Sequence, residues 1–322
     1  MSQGKTLVIG VDVAWWGGSK AKPDSQNDVV VAGVVGGDST TPLEVDVLAL
    51  NPLRERRGAA GFDPAGELLL KAIADTVKRH GHDRCVVALD APLHHPDRAA
   101  RPRRLDMKSG FNRRPCEDAL QAAVSTLGRA GKEGGGWRAG IKIQAGSPPW
   151  PRIQAIVRGL GDIGMPLWLG GEPTGRDVIE IFPSEAIWSL GIAGHFGAHR
   201  DECVRAYKRK GDQERLGVRC DACNGRPMTF DDESNLALSG FAGVLDGAPW
   251  FDGACKIVTD VACARTAGSE RRGPHKGKGF DDTIDSGIAF LTGACFALGR
   301  YHVWAPSGAD CDQGVIVGPG VL

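Results

Sequence analysis

Leu7-Val8-Ile9-Gly10-Val11-Asp12-Val13 is the stretch on which the fold turns. Its apolar, β-branched residues run on without polar alternation, the pattern of a buried strand. Gly10 and the later WWGG run mark the strand's exit, where an Asp can also bond a neighbouring turn. A carboxylate at Asp12 must be paired, ligated or at the strand's end, because burying it bare costs several kcal/mol. Three other stretches repeat the problem: Asp90 ends CVVALDAPL's apolar run, Glu180 sits inside VIEIFP, and Asp281, Asp282 and Asp285 open DDTIDSGIAFLTGACFALG. Converging carboxylates would repel by roughly 4 kcal/mol per pair at about 4 Å and an effective dielectric of about 20. A divalent cation removes that repulsion, so the first expectation is a carboxylate cage for Mg²⁺ or Mn²⁺.

Working outward, Asp28 to Val35 and Leu43 to Leu50 read as further strands, the second alternating as a half-exposed antiparallel strand does. Pro64 to His80 reads as an amphipathic helix with Leu68, Leu69, Ala72, Ile73 and Val77 on one face. Cys85 to Asp90 is the next buried strand, which makes the order β-β-β-α-β. Helices are expected at Cys116 to Gly128, Ile153 to Leu160, Ser184 to Leu190 and Asp281 to Gly299, with a strand at Val178 to Phe182 and two short strands in YHVWA and GVIVGPG. The whole reads as one α/β domain over residues 1–322, carrying a helical insertion at about 195–279.

Each acid also has a structural alternative. Asp90 precedes Ala-Pro and could bond local amides; Glu180 could pair with Arg176; Asp281 and Asp282 could cap their helix. Capping does not explain Asp285, which precedes an apolar face and shares a side of the helix with Asp281 or Asp282. Parallel strands also bring their C-terminal ends to one edge of a sheet, the usual place for a site.

The chain of 322 residues has room for an ample core, at 42% hydrophobic and 24% charged residues. No run approaches the length of a membrane span, and the N-terminus enters a strand without a cleavable signal pattern. Nine cysteines, an odd number, fit a reducing cytoplasm better than a disulfide framework. Cys220 and Cys223 form a lone Cys-x-x-Cys; structural Zn²⁺ there would need further ligands, such as Cys203, Cys255, Cys263, His195 or His199. The net charge of zero argues against non-specific nucleic-acid binding through overall charge. Basic clusters nonetheless occur, as at Arg113 and Arg114 and at Lys208 to Lys210. They read either as solvated loops or as contacts to a phosphate-bearing substrate. His94 and His95, just after Asp90, are acid–base candidates or an exposed turn.

Taken in order, GVDVAWWGG, VVALDAPL, RPCEDAL, VIEIFPSEAIWSLG and DDTIDSGIAFLTG resemble the motifs of domain-of-unknown-function family 429, a family of predicted nucleases with an RNase H-like fold. The resemblance implies a five-stranded mixed sheet flanked by helices. It further implies metal ligands at Asp12, Asp90 and Asp282 or Asp285, with Glu180 or Glu185 as a further candidate. Arg113, Arg114, Glu117 and Lys208 are candidates for contacting the substrate. The expected activity is hydrolysis of nucleic-acid phosphodiesters at a two-metal site holding Mg²⁺ or Mn²⁺. The expected protein is cytoplasmic, has no membrane partner, and leaves a homo-oligomer open. Two alternatives share the fold. An actin- or sugar-kinase-like phosphotransferase would bind Mg-ATP at a strand-end Asp and a Gly-rich hairpin, although a second phosphate-binding Gly loop and a second repeat are not evident. The absence of GxxxxGK[ST] argues against a P-loop NTPase. A non-catalytic nucleic-acid or partner-binding module would leave the acids far apart.

Overall fold

The computed structural model describes residues 4–13, 28–36, 46–50, 66–81, 83–93, 114, 116–117, 119–120, 149–189, 242–245, 278–305 and 314–320. In chain order they form β1 (Thr6–Asp12), β2 (Asp28–Val35), β3 (Asp46–Leu50), α1 (Glu67–His80), β4 (Arg84–Asp90), α2 (Pro149–Asp162), β5 (Arg176–Glu180), α3 (Pro183–Ser189), α4 (Ala242–Leu245), α5 (Lys278–Ala297), β6 (Tyr301–Trp304) and β7 (Ile316–Pro319). The class is mixed α/β, as the sequence predicts. β1 lies between β2, which runs antiparallel to it, and β4, which runs parallel. β5 continues the parallel side next to β4, and β3 lies along the outer edge of β2. β6 and β7 form an antiparallel pair, attached beyond β5 by a bridge between Ile181 and Val317.

Two layers of helix cover the sheet, and the two-residue period of a strand decides what each layer meets. Leu7, Ile9 and Val11 of β1, with Cys85, Val87 and Leu89 of β4, pack into one core with Leu69 and Ile73 of α1 and Ile153, Ile156 and Leu160 of α2. The intervening residues face α5: a Cβ on Gly293 would lie 2.8 Å from Val8 Cγ1 and 3.3 Å from Ala88 Cβ. α5 is buried continuously from Asp285 to Phe296, as expected of a helix that is apolar all round.

Gly10 does not mark the exit of its strand. It lies inside β1, directly beneath α5, where an added Cβ would sit 2.1 Å from the Phe290 amide nitrogen and 2.5 Å from the Ser286 carbonyl oxygen. The missing side chain lets the helix backbone rest on the sheet. Helix starts also differ from the sequence reading. α1 opens at Glu67, after Gly66 in a left-handed conformation (φ 66°). α5 opens at Lys278, so Lys278, Gly279 and Phe280 lead the helix and Asp285 falls in its third turn, beyond any capping role. Most of the expected insertion at 195–279 lies outside the described residues. Within it, α4 is helical and its Val244 carbonyl accepts a 2.8 Å bond from Arg300 Nη1.

Candidate metal centre

Three local facts bring three acids together. The β1–β4 register sets Asp12 directly opposite Asp90 at the C-terminal ends of two neighbouring parallel strands. Strand alternation continues the sequence Val8, Gly10, Asp12 and the sequence Val86, Ala88, Asp90, so both carboxylates project on the α5 side. The close seating of α5 on Gly10, through Ser286 and Phe290, places the preceding residue Asp285 over the same edge. One carboxylate oxygen each from Asp12, Asp90 and Asp285 lies within 4.8 Å of the others. Asp12 and Asp285 are buried, whereas Asp90 is half-buried and gives the group its access to solvent.

The donor set is all oxygen, which suits Mg²⁺ or Mn²⁺ and not the thiolate and imidazole preference of a structural zinc site. Among the described residues no other group of three His, Cys, Asp or Glu side chains meets at this range. Burial pushes the thiols of Cys85, Cys116 and Cys295 up to about 12, so without a metal they are neutral near neutral pH.

Glu180 does not join the group, which corrects its assignment as a ligand. The β4–β5 register sets it opposite Leu89 rather than Asp90, so its side chain leaves the sheet on the α1–α2 face. There it accepts hydrogen bonds from Arg114, from Nη1 to Oε2 at 2.7 Å and from Nη2 to Oε1. The expected partner Arg176 instead bonds the Gly164 carbonyl. Arg114 also donates from Nε and its backbone amide to the two oxygens of Glu117, both at 2.9 Å. Burial works against the Arg114 charge, but Glu180, with Cys116 and Glu117, holds the guanidinium well above its usual range. Burial likewise pushes the Glu117 carboxyl up, in spite of Arg114. At 2% exposure each, Arg114 and Glu117 are inside the protein, not on a surface that meets substrate phosphates.

A second buried ion pair occupies the same face and edge. Arg152 of α2 donates from Nη1 and Nη2 to the two oxygens of Asp28 at 3.0 and 2.5 Å. Sequence reasoning missed Asp28, although it opens the apolar run DVVVAGVV and satisfies the same argument as Asp12. The sheet therefore separates its acids: arginine-bound Asp28 and Glu180 behind, and the three clustered aspartates in front.

Glu185, the competing candidate, belongs to a different cluster. Its Oε1 accepts bonds from Trp304 Nε1 at 2.7 Å, from His302 Nε2 at 2.9 Å and from Ser189 Oγ. The other nitrogen of His302 faces the Gly320 carbonyl at 3.0 Å. Both ring nitrogens thus address acceptors, and a doubly protonated imidazolium satisfies both. Burial lowers the His302 pKa, but the hydrogen bond and charge of Glu185 outweigh it and the net shift is upward. A folded-state pKa raised above the unfolded value gives stability that is complete below the unfolded pKa and is lost as pH rises through the folded one. Thermal melts across neutral pH should therefore show wild type losing on the order of 1 kcal/mol on the alkaline side, with that loss absent in His302→Gln. Parallel pH profiles for the two proteins would refute the imidazolium assignment.

Asp281 and Asp282 lie in α5, but their side chains are outside the described structure. Arg113, Lys208, His94, His95, Cys220 and Cys223 lie outside the described residues altogether. No helix among the described residues is long and apolar enough to cross a membrane. Comparison with known proteins finds no matching family model, no matching curated protein and no matching solved structure.

Proposed function

We propose that this protein is a divalent-metal-dependent nuclease with an RNase H-like fold, hydrolysing phosphodiester bonds of nucleic acid. The observation that carries the proposal is the approach of Asp12, Asp90 and Asp285 oxygens to within 4.8 Å of one another on adjoining strand ends and the facing helix. Three carboxylates gathered at one sheet edge offer the all-oxygen donor set that a hard divalent cation takes. The mixed sheet, with acids on its first and fourth strands and on the last helix, agrees with the motif resemblance, and that resemblance supplies the nucleic-acid substrate.

Asp12, Asp90 and Asp285 would hold Mg²⁺ or Mn²⁺, and Asp282, one turn before Asp285, is the proposed further ligand. A metal bound there would supply an activated water and charge stabilisation for the phosphate and leaving oxygen. The chain's own contribution is placement. Asp12 and Asp90 are fixed to each other by the β1–β4 register, and α5 fixes Asp285 to both. Half-buried Asp90 marks the side from which a phosphodiester would approach.

The test is incubation with Mn²⁺ and either a mixed DNA and RNA pool or ATP. Cleavage of nucleic acid that requires Mn²⁺ and falls by at least about a hundredfold in Asp12→Asn is expected. ATP turnover without nucleic-acid cleavage would favour the phosphotransferase reading. Unchanged cleavage by Asp12→Asn would remove that residue from the site.

A further inference from the structure

We infer that Glu180, locked by Arg114 and Glu117, is a positioning residue for Asp90. This rests on the metal-centre reading above and deepens it. Asp90 is the last residue of β4, so its place at the site depends on how the chain is held on either side of it. On the near side, the Leu89 carbonyl accepts a 3.0 Å bond from the Ile181 amide. On the far side, the Leu93 amide donates to Glu180 Oε2 at 2.8 Å. The consecutive residues Glu180 and Ile181 therefore bracket Asp90. The Leu93 carbonyl is also engaged, by Gln154 Nε2 of α2 at 3.4 Å.

The bracket is rigid because Glu180 is itself held. Arg114 binds both of its oxygens, and Glu117 binds Arg114 through Nε, Nη2 and the backbone amide. All three residues are 2–3% exposed. Buried charge networks are a poor source of net stability, since well-packed apolar replacements are often neutral or better. They do fix geometry, because each partner has few alternative ways to be satisfied. Here the fixed element is the turn that carries a metal ligand. The acid lies on the far face of the sheet from Asp90, so it acts through the backbone and does not touch the cation.

Asp28 and Arg152 provide an internal control: an equally buried ion pair on the same face, joining β2 to α2 instead of gripping the chain beside Asp90. The experiment titrates Mn²⁺ into the full chain by calorimetry, with Mn²⁺ electron paramagnetic resonance at saturation and melting temperatures recorded alongside. Glu180→Gln should weaken Mn²⁺ binding by about tenfold to a hundredfold and alter the saturated spectrum. Asp28→Asn should lose comparable thermal stability while keeping its affinity within about twofold of wild type. If Glu180→Gln does not fold, Arg114→Lys carries the same expectation, because it keeps the charge but loses the two-pronged grip. Wild-type affinity and spectrum in the Glu180 or Arg114 variant, or equal weakening in Asp28→Asn, would overturn the positioning role and leave the metal centre standing. Absence of Mn²⁺ binding by wild type would instead overturn the metal centre, and the positioning role with it.

Discussion

Asp285→Asn should raise the melting temperature of the protein in chelator and lower it, relative to wild type, in saturating Mn²⁺. The reversal follows from one geometry. Three carboxylates within 4.8 Å repel, and a pair at that distance costs roughly 3 kcal/mol at an effective dielectric of about 20. Solvent at half-buried Asp90 screens part of this, so neutralising Asp285 should relieve on the order of 1–2 kcal/mol in the metal-free protein. A ligand at about a hundred times its dissociation constant adds about 2.7 kcal/mol to the stability of the state that binds it. Removing a donor forfeits most of that gain. Melts of both proteins with chelator and with Mn²⁺ give the four values needed. A variant less stable than wild type in chelator would mean that hydrogen bonds made by the Asp285 carboxylate outweigh the repulsion among the three acids.

Gly10→Ala should be the most damaging single methyl addition in the described core. Its Cβ would fall 2.1 and 2.5 Å from backbone atoms of α5, which no side-chain rotation can relieve. The helix would have to lift off the sheet. Overpacking typically costs about 1–3 kcal/mol, and a backbone clash belongs at or above the top of that range. Because Asp285 rides on the same helix, Mn²⁺ affinity should fall as well. Gly293→Ala is the comparison: its closest contact is Val8 Cγ1 at 2.8 Å, a side-chain carbon that can rotate, and Ala88 Cβ stands off at 3.3 Å, so the loss should be smaller. Urea denaturation of both variants decides the order. Equal, mild losses would show that α5 tolerates a shift and that its seating at Gly10 does not set the site.

Much of this arrangement is legible in the chain. Uninterrupted runs such as TLVIGVD and RCVVALD must be buried, and the acids at their ends must be satisfied, because charge in an apolar interior is costly. The apolar run after Asp285 likewise requires a buried helix. The core helices, the strands and the two short final strands follow from periodicity with boundary shifts of a few residues. Gly10 reads in the sequence as the strand's exit, and its true role is hidden there because what passes over it is the helix backbone at Ser286 and Phe290, far along the chain.

Asp90 and Glu180 show where sequence alone stops. Each closes an apolar strand, each lies at the same edge of the sheet, and nothing local separates them. Tertiary structure does. β4 pairs with β1 so that Asp90 meets Asp12, and β5 pairs with β4 so that Glu180 meets Leu89. A difference of one residue in register sends one carboxylate to the metal side and the other to Arg114. Composition and pattern determined that these acids needed partners. Strand register, which is set by long-range pairing and not by local preference, decided which partner each received.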